Sequence, residues 1–115
     1  MKTIEFIISE ADIEAFAHVS GDFNPVHLDQ EYAKVHGFPN RISHGLLTMG
    51  KVWSVLSSHF LKPNDLPYSY EMKFIAPVFV GDTVTLSINH VGDKWTIKGV
   101  CAKKPIINAT ILIKQ

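Results

Sequence analysis

Hydrophobic and polar residues change their spacing several times along the chain, and each change marks an element. Thr3 to Ile8 alternates, with β-branched and aromatic side chains, which predicts a first strand. Ser9 followed by Asp12 comes close to a capping box, and Ile13, Phe16 and Ala17 then fall on one helical face. Gly21 stands where a helix end calls for a left-handed residue. Asp29 is placed to cap a second short helix carrying Tyr32, Ala33 and Val35, with Gly37 at its end. Phe38 to Ser43 contains Pro39 and Asn40 and is expected to be loop. From His44 to Phe60, Leu46, Met49, Trp53, Leu56 and Phe60 recur at helical spacing, and Leu47 and Val52 widen the stripe. This predicts a long, largely buried helix, with Lys51 and His59 on its wetter side.

Lys62 to Pro67 is a loop by its two prolines, Asn64 and Asp65. Four extended stretches follow. Tyr68 to Val78 sets Tyr70, Met72 and Phe74 against Ser69, Glu71 and Lys73. Thr83 to Val91 places Val84, Leu86 and Ile88 on one face, and Gly92-Asp93 is a tight-turn signal. Lys94 to Ala102 and Ile106 to Lys114 complete the set. One strand, then helices with one long apolar member, then four consecutive strands make an α+β protein with an antiparallel sheet. With 115 residues and no repeat or linker, one domain over residues 1–115 is expected.

Charge narrows the partners. The formal net charge is zero and no block of like charge occurs, so nothing favours nucleic acid or an anionic membrane surface. Lys103-Lys104 is expected to be a solvated turn. Cys101 is the only cysteine, which excludes an intrachain disulfide and fits a reducing compartment. It lies in an alternating stretch and reads as a small buried residue. The N-terminus has no signal-like apolar region and no run reaches membrane-spanning length, so a soluble cytoplasmic protein is expected.

Candidate chemistry is concentrated between Ser20 and Gly50. Asp22-Phe23-Asn24-Pro25-Val26-His27 puts a carboxylate, an amide and an imidazole into six residues. Pro25 fixes its own φ and pushes Asn24 out of the α region, which predicts a turn rather than a helix. Such a turn can bring Asp22 and His27 together as an acid–base pair. Asp-x-Asn-Pro is equally good turn chemistry, since Asx side chains cap their own backbone. Gly45, at the start of the long helix, could offer N–H groups to an anion or serve packing alone. His18, His36, His59 and His90 read as helix-end, surface or strand residues. No pair has the spacing of a metal motif such as His-Glu-x-x-His, so no metal is assigned.

Gly21 to Asp29, followed by Ser43-His44-Gly45-Leu46-Leu47, closely resembles the MaoC-like (R)-specific enoyl-CoA hydratases, the hydratase 2 family. The stretch Phe74-Ile75-Ala76-Pro77-Val78-Phe79-Val80-Gly81-Asp82-Thr83-Val84 is similar to a third element of that family. The resemblance implies a hot-dog fold, an antiparallel sheet wrapped round the long central helix, and a homodimer. It implies reversible syn hydration of a trans-2-enoyl-CoA to the (R)-3-hydroxyacyl-CoA, with no cofactor beyond the CoA or acyl carrier of the substrate. Asp22 and His27 match the family's acid–base pair and Asn24 its positioning amide. Gly45 matches the oxyanion donor, with Ser43 and His44 shaping the site. The alternatives are a 3-hydroxyacyl-carrier-protein dehydratase, an acyl-CoA thioesterase and a non-catalytic acyl-thioester-binding module. The absence of Asp and Glu from His44 to Phe60 speaks against the thioesterase. One departure stands out. Many relatives carry proline where this chain has Arg41, which is expected to be an exposed loop residue and otherwise a contact for a CoA phosphate.

Overall fold

A computed structural model describes residues 2–114. Strand β1 (Lys2–Ile7) leads into helix α1 (Glu10–Ser20), the single turn α2 (Pro25–Leu28), α3 (Gln30–Val35) and the long α4 (Gly45–Phe60). Strands β2 (Leu66–Phe74), β3 (Thr83–Val91), β4 (Lys94–Cys101) and β5 (Lys104–Lys114) follow. They form one five-stranded sheet in the order β1-β3-β4-β5-β2, with every neighbouring pair antiparallel. The protein is α+β with the hot-dog architecture. Only β3, β4 and β5 form a meander. The chain crosses the sheet after β2, so β1 and β2 become its two edges.

The local signals explain most elements. Ser9 and Asp12 form a reciprocal capping box on α1, and Gly21 closes it at φ 77°. Asp29 Oδ1 accepts from the N–H groups of Glu31 and Tyr32, which starts α3. The β3–β4 hairpin turns at Gly92-Asp93 as expected. The β4–β5 hairpin turns at Ala102-Lys103, one residue earlier than expected, and both residues adopt positive φ, 49° and 67°.

The core lies between α4 and the sheet. Val52 and Leu56 of α4 pack with Leu86, Ile97, Ile107, Ile111 and Ile113, and α1 adds Ile13. Tyr70 of β2 donates its hydroxyl to the carbonyl of Met49 at 2.7 Å, tying an edge strand to the helix. Burial pushes that phenol well above its ordinary range. The helix is less buried than its apolar stripe implied. Only Thr48, Val52 and Leu56 are buried along it, while Leu46 is 69% exposed. Among the described residues, no helix is long and apolar enough to cross a membrane.

Candidate active site

The segment that follows α1 is held by a relay of short side-chain bonds. Ser20 Oγ accepts from the N–H of Asp22, Asp22 Oδ1 from that of Asn24, and Asn24 Oδ1 from that of Val26, each at 3.1 Å. The relay starts α2, where the sequence predicted a turn without helix. Pro25 occupies the first helical position, where its missing N–H costs nothing, and Asn24 is the N-cap. Asn24 thus spends its carbonyl oxygen on the backbone, and its Nδ2 is the end left for other work.

This capped turn aims His27 inward. Its Nδ1 lies 2.7 Å from the carbonyl oxygen of Ile42. A carbonyl only accepts, so Nδ1 is the donor and Nε2 carries the lone pair in the neutral ring. Nε2 lies 3.7 Å from Asp22 Oδ2, beyond direct hydrogen-bond distance. Two acceptors therefore face one point, with His27 mostly buried and Asp22 half exposed.

A short two-stranded bridge supplies the other wall. Ile42 pairs with Phe79, the N–H of Ser43 donates to Val78 at 2.7 Å, and that of Val80 donates to Arg41 at 3.0 Å. The bridge fixes the chain just before α4. His44 caps α4 with its backbone only, and its ring stacks on His27 at 3.8 Å between centroids and 25° between planes. His44 Nε2 lies 3.1 Å from the backbone oxygen of Asp22. Ser43 Oγ lies 2.9 Å from Thr48 Oγ1, and both hydroxyls also reach the carbonyl of His44. Ser43 thus braces the head of the helix. Gly45 opens α4, and a Cβ there would come 3.5 Å from the Phe74 ring. A cleft of about 420 Å³ is lined by His27, Ser43, Gly45, Thr48, Phe74 and Val78, among others.

The six predicted site residues therefore converge. His27, Ser43 and Gly45 line the cleft, Asp22 and the buried His44 stand beside His27, and Asn24 organises the backbone of the turn. Asp22, His27 and His44 also offer ligand-type atoms within 4.8 Å of one another. Sequence spacing gave no sign of this trio, because His44 arrives from a separate element. Stacked imidazoles carry their lone pairs side by side rather than toward a common point, which suits an acid–base pair better than a shared ion. Of the remaining histidines, His18 packs edge-on against Phe23, with ring centroids 5.4 Å apart, and the others lie elsewhere. His90, for instance, stacks on Trp95 across the β3–β4 pair.

Two further expectations are corrected. Arg41 is not an exposed loop residue. It is 8% exposed, and its Nη2 lies 2.7 Å from Glu10 Oε1. Its Nη1 also donates to the Leu28 carbonyl at 3.4 Å. The Ile42–Phe79 bridge draws it inward, so it clasps α1 to the loop and is not free to meet a phosphate. Cys101 is half-buried rather than buried. Burial, then the Asp82 carboxylate beside it, pushes its thiol up, which disfavours the thiolate.

Residues 1–110 match the family described as MaoC-like domain. An (R)-specific enoyl-CoA hydratase from Rhodospirillum rubrum is 41% identical over 85 residues, covering 74% of this chain and 59% of that protein. A mitochondrial 3-hydroxyacyl-[acyl-carrier-protein] dehydratase from Arabidopsis thaliana is 34% identical over 97 residues, covering 80% of this chain and 57% of that protein. The chain thus spans less than two thirds of the length of these curated relatives. Among solved structures, an (R)-hydratase from A. caviae involved in PHA biosynthesis superposes with a TM-score of 0.79 and 26% identity, over 98% of this chain and 92% of that one. The Asp-x-Asn-Pro-x-His turn, the His-Gly helix start and the match over residues 1–110 place this chain in the MaoC-like family.

Proposed function

We propose that this chain catalyses the reversible addition of water to a trans-2-enoyl thioester, giving the (R)-3-hydroxyacyl thioester. The observation that carries the reading is the pair of acceptors, His27 Nε2 and Asp22 Oδ2, 3.7 Å apart, with His27 lining the cleft. One water can donate to both. As its oxygen bonds to the β-carbon, one of its protons passes to the pair, and the pair returns a proton to the α-carbon on the same face. The addition is therefore syn. Charge that develops on the thioester oxygen is met by the N–H of Gly45, at the positive end of α4, where among the described residues the N-cap His44 makes no side-chain capping bond. Asn24 Nδ2 helps to place the water. The reaction draws on no cofactor other than the CoA or acyl carrier of the substrate.

The names of the relatives support this chemistry and extend it to two carriers. Running in reverse on a carrier-bound acyl chain, the same residues make a 3-hydroxyacyl-thioester dehydratase. We also assign a homodimer. Strands β1 and β2 each pair on one side only, and Leu66, Tyr68 and Phe74 of β2 are exposed along the second edge. A monomeric mass by light scattering at micromolar concentration refutes that assignment.

The test mixes the purified protein with crotonyl-CoA, follows loss of the enoyl absorbance and determines the configuration of the product, with Asp22→Asn as control. Rapid loss that yields the (R)-3-hydroxy product and vanishes in the variant is the expected result. Release of free thiol without hydration points to a thioesterase. Activity on crotonyl-carrier protein alone assigns the carrier-dependent dehydratase.

A further inference from the structure

His44 is 2% exposed, yet among the described residues its Nδ1 has no hydrogen-bond partner. Its other nitrogen, Nε2, lies 3.1 Å from the backbone carbonyl of Asp22. A carbonyl accepts, so Nε2 carries the proton and Nδ1 the lone pair. The opposite tautomer would face a bare nitrogen toward a carbonyl oxygen and bury an N–H without an acceptor, and both arrangements are costly. A second proton would make Nδ1 a buried cationic donor with no partner. The titratable groups that meet this ring are His27, stacked on it, and Asp22, whose carbonyl it binds. Helix α1 presents Phe16, with ring centroids 4.8 Å apart.

We propose that His44 is a positioning residue that fixes both members of the acid–base pair at once, its Nε2–H holding the backbone of Asp22 and its ring face holding the plane of His27. The proposal rests on the hydration reading and deepens it. Asp22 lies in exposed chain just past Gly21, and its other backbone anchor is the exposed Ser20 hydroxyl. His44 is the buried anchor of that loop. His44 also begins α4, and its carbonyl receives the N–H and the hydroxyl of Thr48 together with the hydroxyl of Ser43. A single residue thus sets the acid, the base and the helix start against one another. Displacing a reacting group by about 1 Å can cost on the order of a hundredfold in rate.

The two amide replacements separate the tautomers. In His44→Gln the side-chain amide nitrogen falls near the old Nε2, and in His44→Asn near the old Nδ1. Both lose the stacking face, so the comparison isolates the bond to Asp22. The expected result is that His44→Gln keeps kcat within about tenfold of the wild type. His44→Asn loses on the order of a hundredfold, and KM moves little in either. Equal kcat in the two variants overturns the proposal. Nitrogen NMR of the labelled wild-type protein gives a second reading that needs neither variant nor turnover. A neutral His44 in the Nε2–H form supports the proposal, and an Nδ1–H or doubly protonated ring overturns it. If the wild-type protein fails to hydrate enoyl thioesters, the reaction reading falls, and the NMR result still decides how His44 is held.

Discussion

His27 Nε2 and Asp22 Oδ2 face each other across 3.7 Å, beyond the reach of a direct hydrogen bond. The carbonyl of Ile42 accepts a hydrogen bond from Nδ1–H at 2.7 Å and leaves the lone pair on Nε2 in the neutral ring. The pair is therefore a seat for a molecule with two donors. Asp22→Asn turns one acceptor partly into a donor, and His27→Ala removes the other. Each is expected to lower kcat by at least about a hundredfold, the usual scale for one positioned acid–base group. The double variant should be little worse than the poorer single one, because residues that act as a unit are not additive. Near-wild-type turnover by either folded variant refutes the assignment.

Much of this site was legible because its signals are local. The capping box of Ser9 and Asp12, the left-handed Gly21 and the cap at Asp29 act within three or four residues, and each formed where the sequence placed it. The unreadable parts depend on contacts between distant segments. Nothing near Arg41 announces its bond to Glu10, 31 residues away, or the Ile42–Phe79 bridge that buries it. The stripe on α4 misled for a similar reason. Thr48 is fully buried because Ser43 and the His44 carbonyl satisfy its hydroxyl, so the buried face runs through Thr48, Val52 and Leu56 and turns Leu46 outward. Asn24, a predicted site residue, is also the N-cap of α2. The position of β2 beside β5 is a topological choice that no periodicity records.

The pairing of Arg41 with Glu10 makes an asymmetric prediction. The arginine side chain is 10% exposed and the glutamate 76%. Glu10→Ala leaves a buried cation with only a 3.4 Å bond to the Leu28 carbonyl. Arg41→Met removes the charge that needed the partner and keeps much of the packing. Glu10→Ala should therefore cost about 1–2 kcal/mol, and Arg41→Met less. Urea unfolding of both variants checks this. KM for an acyl-CoA should be unchanged in Arg41→Met, and a large rise would restore a phosphate contact to Arg41.

The β4–β5 hairpin stores a removable cost. Ala102 and Lys103 both hold left-handed backbone, at φ 49° and 67°, in a two-residue loop. That loop favours Asn followed by Gly, because ordinary side chains are strained there. The double substitution Ala102→Asn with Lys103→Gly should raise stability by about 1 kcal/mol or more without changing turnover. A fall in the denaturation midpoint would show that these side chains stabilise the turn in some other way.

Asp12 links stability to pH. Burial alone would raise its carboxyl, but the Ser9 N–H, the Lys51 ammonium 3.1 Å away and the Ser9 hydroxyl outweigh that and hold it below the usual carboxylate range. A group whose folded pKa is depressed contributes stability above its unfolded value, about 3.9 for Asp, and loses it as pH falls through the folded value. At pH 7, Asp12→Ala should cost about 1 kcal/mol, the typical worth of a helix cap. The gap between variant and wild type should hold down to about pH 5 and then narrow as the wild-type carboxyl is protonated. Guanidinium unfolding at pH 7, 5 and 3 measures it. A gap that stays constant down to pH 3 would mean that the carboxylate charge, the Lys51 ammonium and the dipole of α1 contribute nothing, and that only the neutral hydrogen bonds of the capping box remain.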